Sequence, residues 1–403
     1  MPTLLNQAIR QFTGCDDLTT APPGNGLRLG NPAASVVVSL NPSDCTERDL
    51  AKQGYTTTRG FLALPSFESP RWLFPLGNGR YRFQGLEIYK PYKLTSRVLK
   101  GLLTTMVAAR CQRLALPRLL IASRGCWPLE QLVREVTSEP QPVLAFSLGT
   151  EARFRKLTAQ VMDPEGEILG YIKLPLTNAA VERVRHEAET LNRLWSFPAL
   201  RPHIPRVLHS GVWGGGAVLF QSAGPPRPGS LQFGHHHEQF LQFLRAVRPT
   251  EKPGHVLWEQ VASRWAKTEA TLDSSWRTLG QAALARAGRE LDGVTVPCGV
   301  LHGDFAPWNT RVGDEGLYVF DWESASWDAP ILWDVFHFKT QVAALLNKKD
   351  DRHVPRDRRT GEVASFLLYL LSSACRLLGE DSPALSAGLA FRRELLVKQF
   401  EGR

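Results

Sequence analysis

The chain has 403 residues, 43% of them hydrophobic and 22% charged, with a formal net charge of +9. That length suggests two or three domains, and the balance excludes a disordered or fibrous chain. The charge favours anionic ligands or surfaces, yet no nucleic-acid-binding motif accompanies it, so a nucleic-acid partner is not expected.

The six cysteines are scattered, with no C-x-x-C pair and no metal-ligand spacing, which fits a reducing, cytoplasmic setting. The opening residues lack a basic region followed by an apolar one. The longest apolar run, Phe366 to Leu371, is far below a membrane span. No membrane span is expected. Nothing in the sequence fixes the oligomeric state.

Residues 1–140 hold 17 basic and 10 acidic side chains, so most of the charge excess lies there. Short β-like runs begin at Ser35, Phe61, Arg71 and Tyr81, broken by turn residues, and a helical pattern covers Thr95 to Leu114. The charge asymmetry and the turn formers Ser138, Glu139 and Pro140 predict a discrete α+β accessory domain of unassigned role over 1–140, the alternative being that this segment packs against the small sheet that follows and covers its apolar face.

From Val143 the pattern changes. Strands are predicted at Val143–Gly149, Arg155–Asp163 and Glu167–Leu174, the last two joined by the hairpin turn Asp163-Pro-Glu-Gly-Glu. A helix over Ala180–Trp195 follows, then strands at Pro205–Gly211 and Ala217–Gln221. This reads as a small antiparallel sheet with one helix, at about 141–223.

Residues 224–403 are dominated by helical periodicity, with helices at Glu238–Ala246, Val256–Thr271 and Ser275–Leu291 and a pair over Gly361–Phe400 broken near Gly379–Pro383. One compact non-helical block, Val300–Ala329, interrupts them. The triplet His235-His236-His237 sits in a Gly-preceded turn, without a carboxylate or cysteine at ligand spacing, and is read as solvated.

The block contains His302-Gly303-Asp304-Phe305-Ala306-Pro307-Trp308-Asn309, and then an apolar strand ending in Asp321-Trp322-Glu323. A plain reading makes Asp304 and Asn309 an Asx-type turn and Asp321 a cap. All three positions together ask for more. H-G-D-x-x-x-x-N followed by D-[WF]-E resembles the aminoglycoside phosphotransferase and choline kinase superfamily, relatives of protein kinases.

The resemblance implies an α+β bilobal kinase-like fold over 141–403, with ATP and Mg²⁺ as cofactors and a small-molecule hydroxyl as acceptor. It makes Asp304 the catalytic base, and Asn309 and Asp321 the metal ligands, oxygen donors as Mg²⁺ requires. Lys173, near the end of its strand, is similar to the family's phosphate-touching lysine. Glu187, in a run resembling E-x-x-x-L-x-x-L, is similar to the glutamate that orients it, with Glu189 as rival. Lys156 is the weaker lysine.

Gly149, alone in Phe146-Ser-Leu-Gly-Thr, stands where the family covers the phosphates, although a lone glycine also suits an ordinary strand turn. Asp328-Ala-Pro-Ile-Leu-Trp-Asp334 resembles D-P-x-x-D. That match makes Asp334 a buried support for the catalytic loop, and His302 reads as a structural hydrogen-bonding residue. The nucleotide is expected near the hinge after Val218–Gln221. Basic balance leans towards neutral or anionic acceptors such as sugars or sugar phosphates. A catalytically inactive scaffold acting through residues 1–140 is the competing reading.

Overall fold

The structure is a computed structural model that describes the chain except for residues 1–2, 22–30, 32, 43–45, 93, 110–115, 347–360, 381–384 and 402–403. It divides into two compact units. The first comprises Met1–Thr150, Phe154–Arg185 and Val207–Ala223, and the second Glu151–Arg153, His186–Arg206 and Gly224–Arg403.

The first unit is built on one ten-stranded sheet. Its strands are β1 (Leu18–Ala21), β2 (Val36–Leu40), β3 (Thr57–Leu64), β4 (Trp72–Pro75), β5 (Arg118–Ser123), β6 (Val143–Ser147), β7 (Lys156–Met162), β8 (Ile168–Pro175), β9 (Val207–Gly211) and β10 (Val218–Ser222). They lie in the order β1-β2-β5-β3-β4-β6-β7-β8-β10-β9. Every neighbouring pair is antiparallel except β1 with β2.

The boundary expected at residue 140 therefore does not separate two bodies. Trp72 and Leu73 of β4 pair with Ser147 and Phe146 of β6. One core runs from Leu5 and Phe12 through Trp127 to Phe146, Leu174 and Phe220. Phe12 stacks on Phe146 at 4.4 Å, and the Trp213 indole N–H donates to the Gln11 carbonyl at 2.8 Å. The turn at 138–140 only closes a helix: Ser138, at φ +62°, caps Pro128–Thr137 before β6 begins. Turn chemistry reads the same in a linker and in a tight connection within a sheet.

A second difference concerns Tyr81 to Tyr89, which is not a strand. Tyr81–Gln84 is one helical turn, and Gly85–Ile88 continues as 3-10 helix. Gly85 lies against Pro75, where an added Cβ would meet the ring at 2.8 Å. The helix predicted from Thr95 spans Leu94–Ala108, and its expected end at Leu114 lies outside the described residues. The helices Thr3–Thr13 and Pro128–Thr137 were not expected from the sequence.

The second unit packs the helices His235–Val247, Gly254–Thr268, Ser274–Glu290, Trp333–Leu346, Glu362–Glu380 and Leu385–Glu401 around two three-stranded sheets. The expected break near Gly379–Pro383 falls partly on the undescribed 381–384. His235–His237 form the first turn of a helix, in which His235 and His236 are exposed as expected, while His237 is buried against Phe233 and Phe338. Glu362–Glu380 is long and apolar enough to cross a membrane by length and composition. It is a core helix: Val363 through Leu371 are all buried.

Three strands position the chemistry. Thr295–Leu301 ends directly before His302, and the hairpin Thr310–Gly313/Gly316–Val319 carries the chain to Asp321.

Candidate active site

The turn after Leu301 depends on Gly303. Its φ is +81°, and an added Cβ would meet the Ser324 carbonyl oxygen at 2.1 Å, so a side chain fits neither the conformation nor the space. The buried Asp334 carboxylate ties this turn down, accepting from the backbone N–H of His302 (2.8 Å) and of Gly303 (3.0 Å). Burial raises the Asp334 pKa to about 7, despite those two donors.

His302 is fully buried and spans the loop. Its Nδ1 accepts from the Asp304 N–H at 3.2 Å, which leaves the proton on Nε2 to donate to the Phe320 carbonyl at 3.1 Å. The ring packs edge-on against Trp322 at 4.6 Å. Both bonds go to backbone, so the imidazole shapes the loop.

Asp304 is held at both oxygens. Asn309 Nδ2 donates to its Oδ2 at 2.8 Å and to its carbonyl at 2.8 Å, while His337 Nε2 lies 2.9 Å from Oδ1. The Arg376 guanidinium is 3.8 Å from Oδ1 and also donates to the Gly303 carbonyl. Burial alone would raise the Asp304 pKa, but the His337 hydrogen bond and the Arg376 charge bring it below the usual carboxylate value. Burial holds His337 down to about 4, so at neutral pH it is an uncharged N–H donor. Tyr369 Oη lies 3.2 Å from its Nδ1 and fixes that tautomer.

His337, Arg376 and Tyr369 were not singled out in the sequence. The available signal was Tyr369, Ser373, Arg376 and Glu380 at helical spacing, a polar stripe on an otherwise apolar helix.

Asp321, at φ +71°, follows the hairpin. Carboxylate oxygens of Glu187, Asp321 and Glu323 lie within 4.8 Å of one another. Three clustered carboxylates suit a hard divalent cation, and the cluster fits Mg²⁺ by donor chemistry. Of the two glutamates weighed on the Asn178–Trp195 helix, Glu187 is fully buried and accepts from the Trp322 N–H at 3.1 Å, whereas Glu189 is exposed. Glu323 was quoted in the motif but given no role from sequence.

Lys173 and Gly149 lie in the first unit. Lys173 is buried on β8, with Thr158 and Leu219 as its strand partners. Gly149 has φ +66°, and an added Cβ would meet the Lys156 carbonyl oxygen at 2.9 Å. The turn into β7 is enough to require glycine there. Arg155 clamps the turn through the Leu148 and Gly149 carbonyls.

Residues 170–340 match the model of the phosphotransferase enzyme family. The match covers 171 of the 403 residues. The match takes in Lys173, Glu187, the Asp304 loop, Asp321 and His337, and it stops short of Tyr369 and Arg376. No curated protein matches the chain.

Among solved structures, the GDP complex of wild-type aminoglycoside 2'-phosphotransferase-IIIa is similar at 15% identity, covering 67% of this chain and 98% of that one, with a TM-score of 0.46. A thermostable mutant of aminoglycoside phosphotransferase APH(4)-Ia in its apo form shows 16% identity, 68% and 100% coverage and a TM-score of 0.44. Another thermostable mutant of that enzyme, in a ternary complex with AMP-PNP and hygromycin B, shows 14% identity, 68% and 99% coverage and a TM-score of 0.47.

Proposed function

We propose that the protein is a Mg²⁺-dependent phosphotransferase that moves the γ-phosphoryl group of ATP onto a hydroxyl of a small molecule. The observation that carries this is Asp304, a carboxylate kept ionised and fixed by Asn309 and His337. It stands on the family's motif loop, in the same unit as the Glu187, Asp321 and Glu323 cluster.

Phosphoryl transfer leaves the protein little covalent work, so orientation and charge neutralisation dominate. Asp304 Oδ1 and Oδ2 orient the acceptor hydroxyl and take its proton as the new P–O bond forms. Asn309 and His337 hold that carboxylate in one rotamer, and Asp334 holds the loop beneath it. Asp321, with Glu323, Glu187 and the Asn309 side-chain oxygen, would hold Mg²⁺, which when bound neutralises charge on the phosphates. Lys173 is assigned to the nucleotide phosphates and Gly149 to the turn beside them. Free thiols at Cys15, Cys126, Cys298 and Cys375 suit a reducing cytoplasmic compartment.

The test is ATP consumption with a hydroxylated metabolite panel at varied Mg²⁺, read by ADP release and by product mass. Phosphorylated product that disappears in Asp304→Asn supports the proposal. No nucleotide turnover with any acceptor would favour the inactive scaffold.

A further inference from the structure

Beside the Asp304 loop, the second unit contains a cavity of about 460 Å³, a size that takes small-molecule ligands. Gly303, His337 and Arg376, which surround Asp304, form part of its wall. One face of the Gly254–Thr268 helix forms another part, presenting Gln260, Arg264 and Lys267 at helical spacing.

The charges on this wall are unequal. Arg264 and Lys267 are exposed, and among the described residues neither is in an ion pair with a carboxylate. The two acidic wall residues are already engaged. Asp328 is held by Lys252 at 2.8 Å and by the Thr250 hydroxyl at 3.1 Å. Asp334 is buried and accepts from two backbone N–H groups. Arg376, half-buried, is itself engaged by Asp304 at 3.8 Å and Glu380 at 3.7 Å, and Arg392, 2% exposed, lies behind Ser373, to which its Nε donates at 2.8 Å. A cavity wall that carries Arg264 and Lys267 without carboxylate partners, and whose acidic neighbours are engaged, attracts an anion.

We infer that the acceptor is an alcohol carrying an anionic group, a phosphate monoester or a carboxylate, with Arg264 and Lys267 as its specificity-determining residues. The hydroxyl faces Asp304 and the anion faces the Gly254–Thr268 helix. This rests on the phosphotransferase reading for the hydroxyl end only. A cationic acceptor would meet like charge on this wall.

Four glucose-type sugars that share the hydroxyls at C1, C3 and C4 and differ in charge test it on the full chain: glucose 6-phosphate, glucuronate, glucose and glucosamine. Transfer from Mg-ATP is measured for each, and calorimetry records binding of each without nucleotide. The expected result is that one or both anionic sugars bind at least about tenfold tighter than glucose, since charge-assisted hydrogen bonds are about twice as strong as neutral ones. The two anionic arms distinguish phosphate from carboxylate.

In the double variant Arg264→Gln/Lys267→Gln that advantage is lost, while KM for Mg-ATP does not change. Equal binding of all four sugars, preference for glucosamine, or a double variant that alters only the KM for Mg-ATP would overturn the inference. Anion binding that depends on Arg264 and Lys267, without transfer to any sugar, would uphold the site and count against the phosphotransferase reading instead.

Discussion

Asp304 owes its ionisation to neighbours distant in sequence. His337 is 33 residues away and Arg376 is 72 residues away. Asp304→Asn keeps the volume and removes the proposed proton acceptor, so transfer should fall by about 10²–10⁴. Nucleotide affinity, read by titration calorimetry, should stay near the wild-type value. Asp321→Asn and Glu323→Gln each remove a carboxylate from the cluster and should raise the Mg²⁺ concentration needed for nucleotide binding by about tenfold or more. Unchanged Mg²⁺ dependence in both variants would place the metal elsewhere.

His337 also sets a pH response. Its folded pKa is lowered to about 4, below its unfolded value, so the unfolded chain binds the proton first. Its contribution to stability is present above about pH 6.5 and is lost as pH falls towards 4. His237, lowered to about 4 by burial, acts in the same direction. Asp334, raised to about 7, acts in the opposite one, losing stability as pH rises through that value. Thermal unfolding of wild type and His337→Gln from pH 4 to 8 isolates the histidine: the gap between them should narrow as pH falls. A gap that is constant across the range would show that His337 titrates normally.

Among elements, the helices Gly254–Thr268 and Ser274–Glu290 pack closely at Gly280. A Cβ on Gly280 would lie 2.1 Å from the Trp265 ring, which is itself buried and tilted against Trp276 at 6.1 Å. Gly280→Ala improves helix propensity by about 1 kcal/mol but forces a buried indole to move, and overpacking costs about 1–3 kcal/mol. The clash should dominate, giving a net loss in denaturant unfolding. The cap of the same helix gives a milder effect. Asp273 Oδ1 accepts from the Trp276 N–H at 2.9 Å, and Asp273→Ala should lower the unfolding midpoint by less than Gly280→Ala does.

For the whole molecule, the first unit cannot be divided at residue 140. A fragment beginning near Leu129 would lose β1 to β5 and the helix Thr3–Thr13. That exposes the face of β6 and the apolar surface around Phe146 that Phe12 and Phe61 cover. An uncovered strand edge beside an uncovered core favours aggregation. The fragment should be insoluble or show no cooperative unfolding, whereas the full chain unfolds cooperatively. A soluble fragment with a nucleotide-dependent rise in melting temperature would contradict the continuous sheet.

The sequence by itself determined the local pieces and the motif loop. Residues 302–309 and 321–323 carry their own turn geometry and chemistry, and β6, β7, β8 and the Asn178–Trp195 helix follow from short-range periodicity. Helix phase left Glu187 and Glu189 as rivals, because both spacings satisfy the local pattern; only packing beside Trp322 buries one of them. Only tertiary structure could bring His337 and Arg376 to Asp304 and Glu323 beside Glu187, because nothing in a helix's own pattern says which distant loop its polar stripe will face. The same holds for the joint at 140: β4 and β6 are about seventy residues apart and meet through backbone hydrogen bonds, which any sequence can make, so their pairing was settled by the shared core.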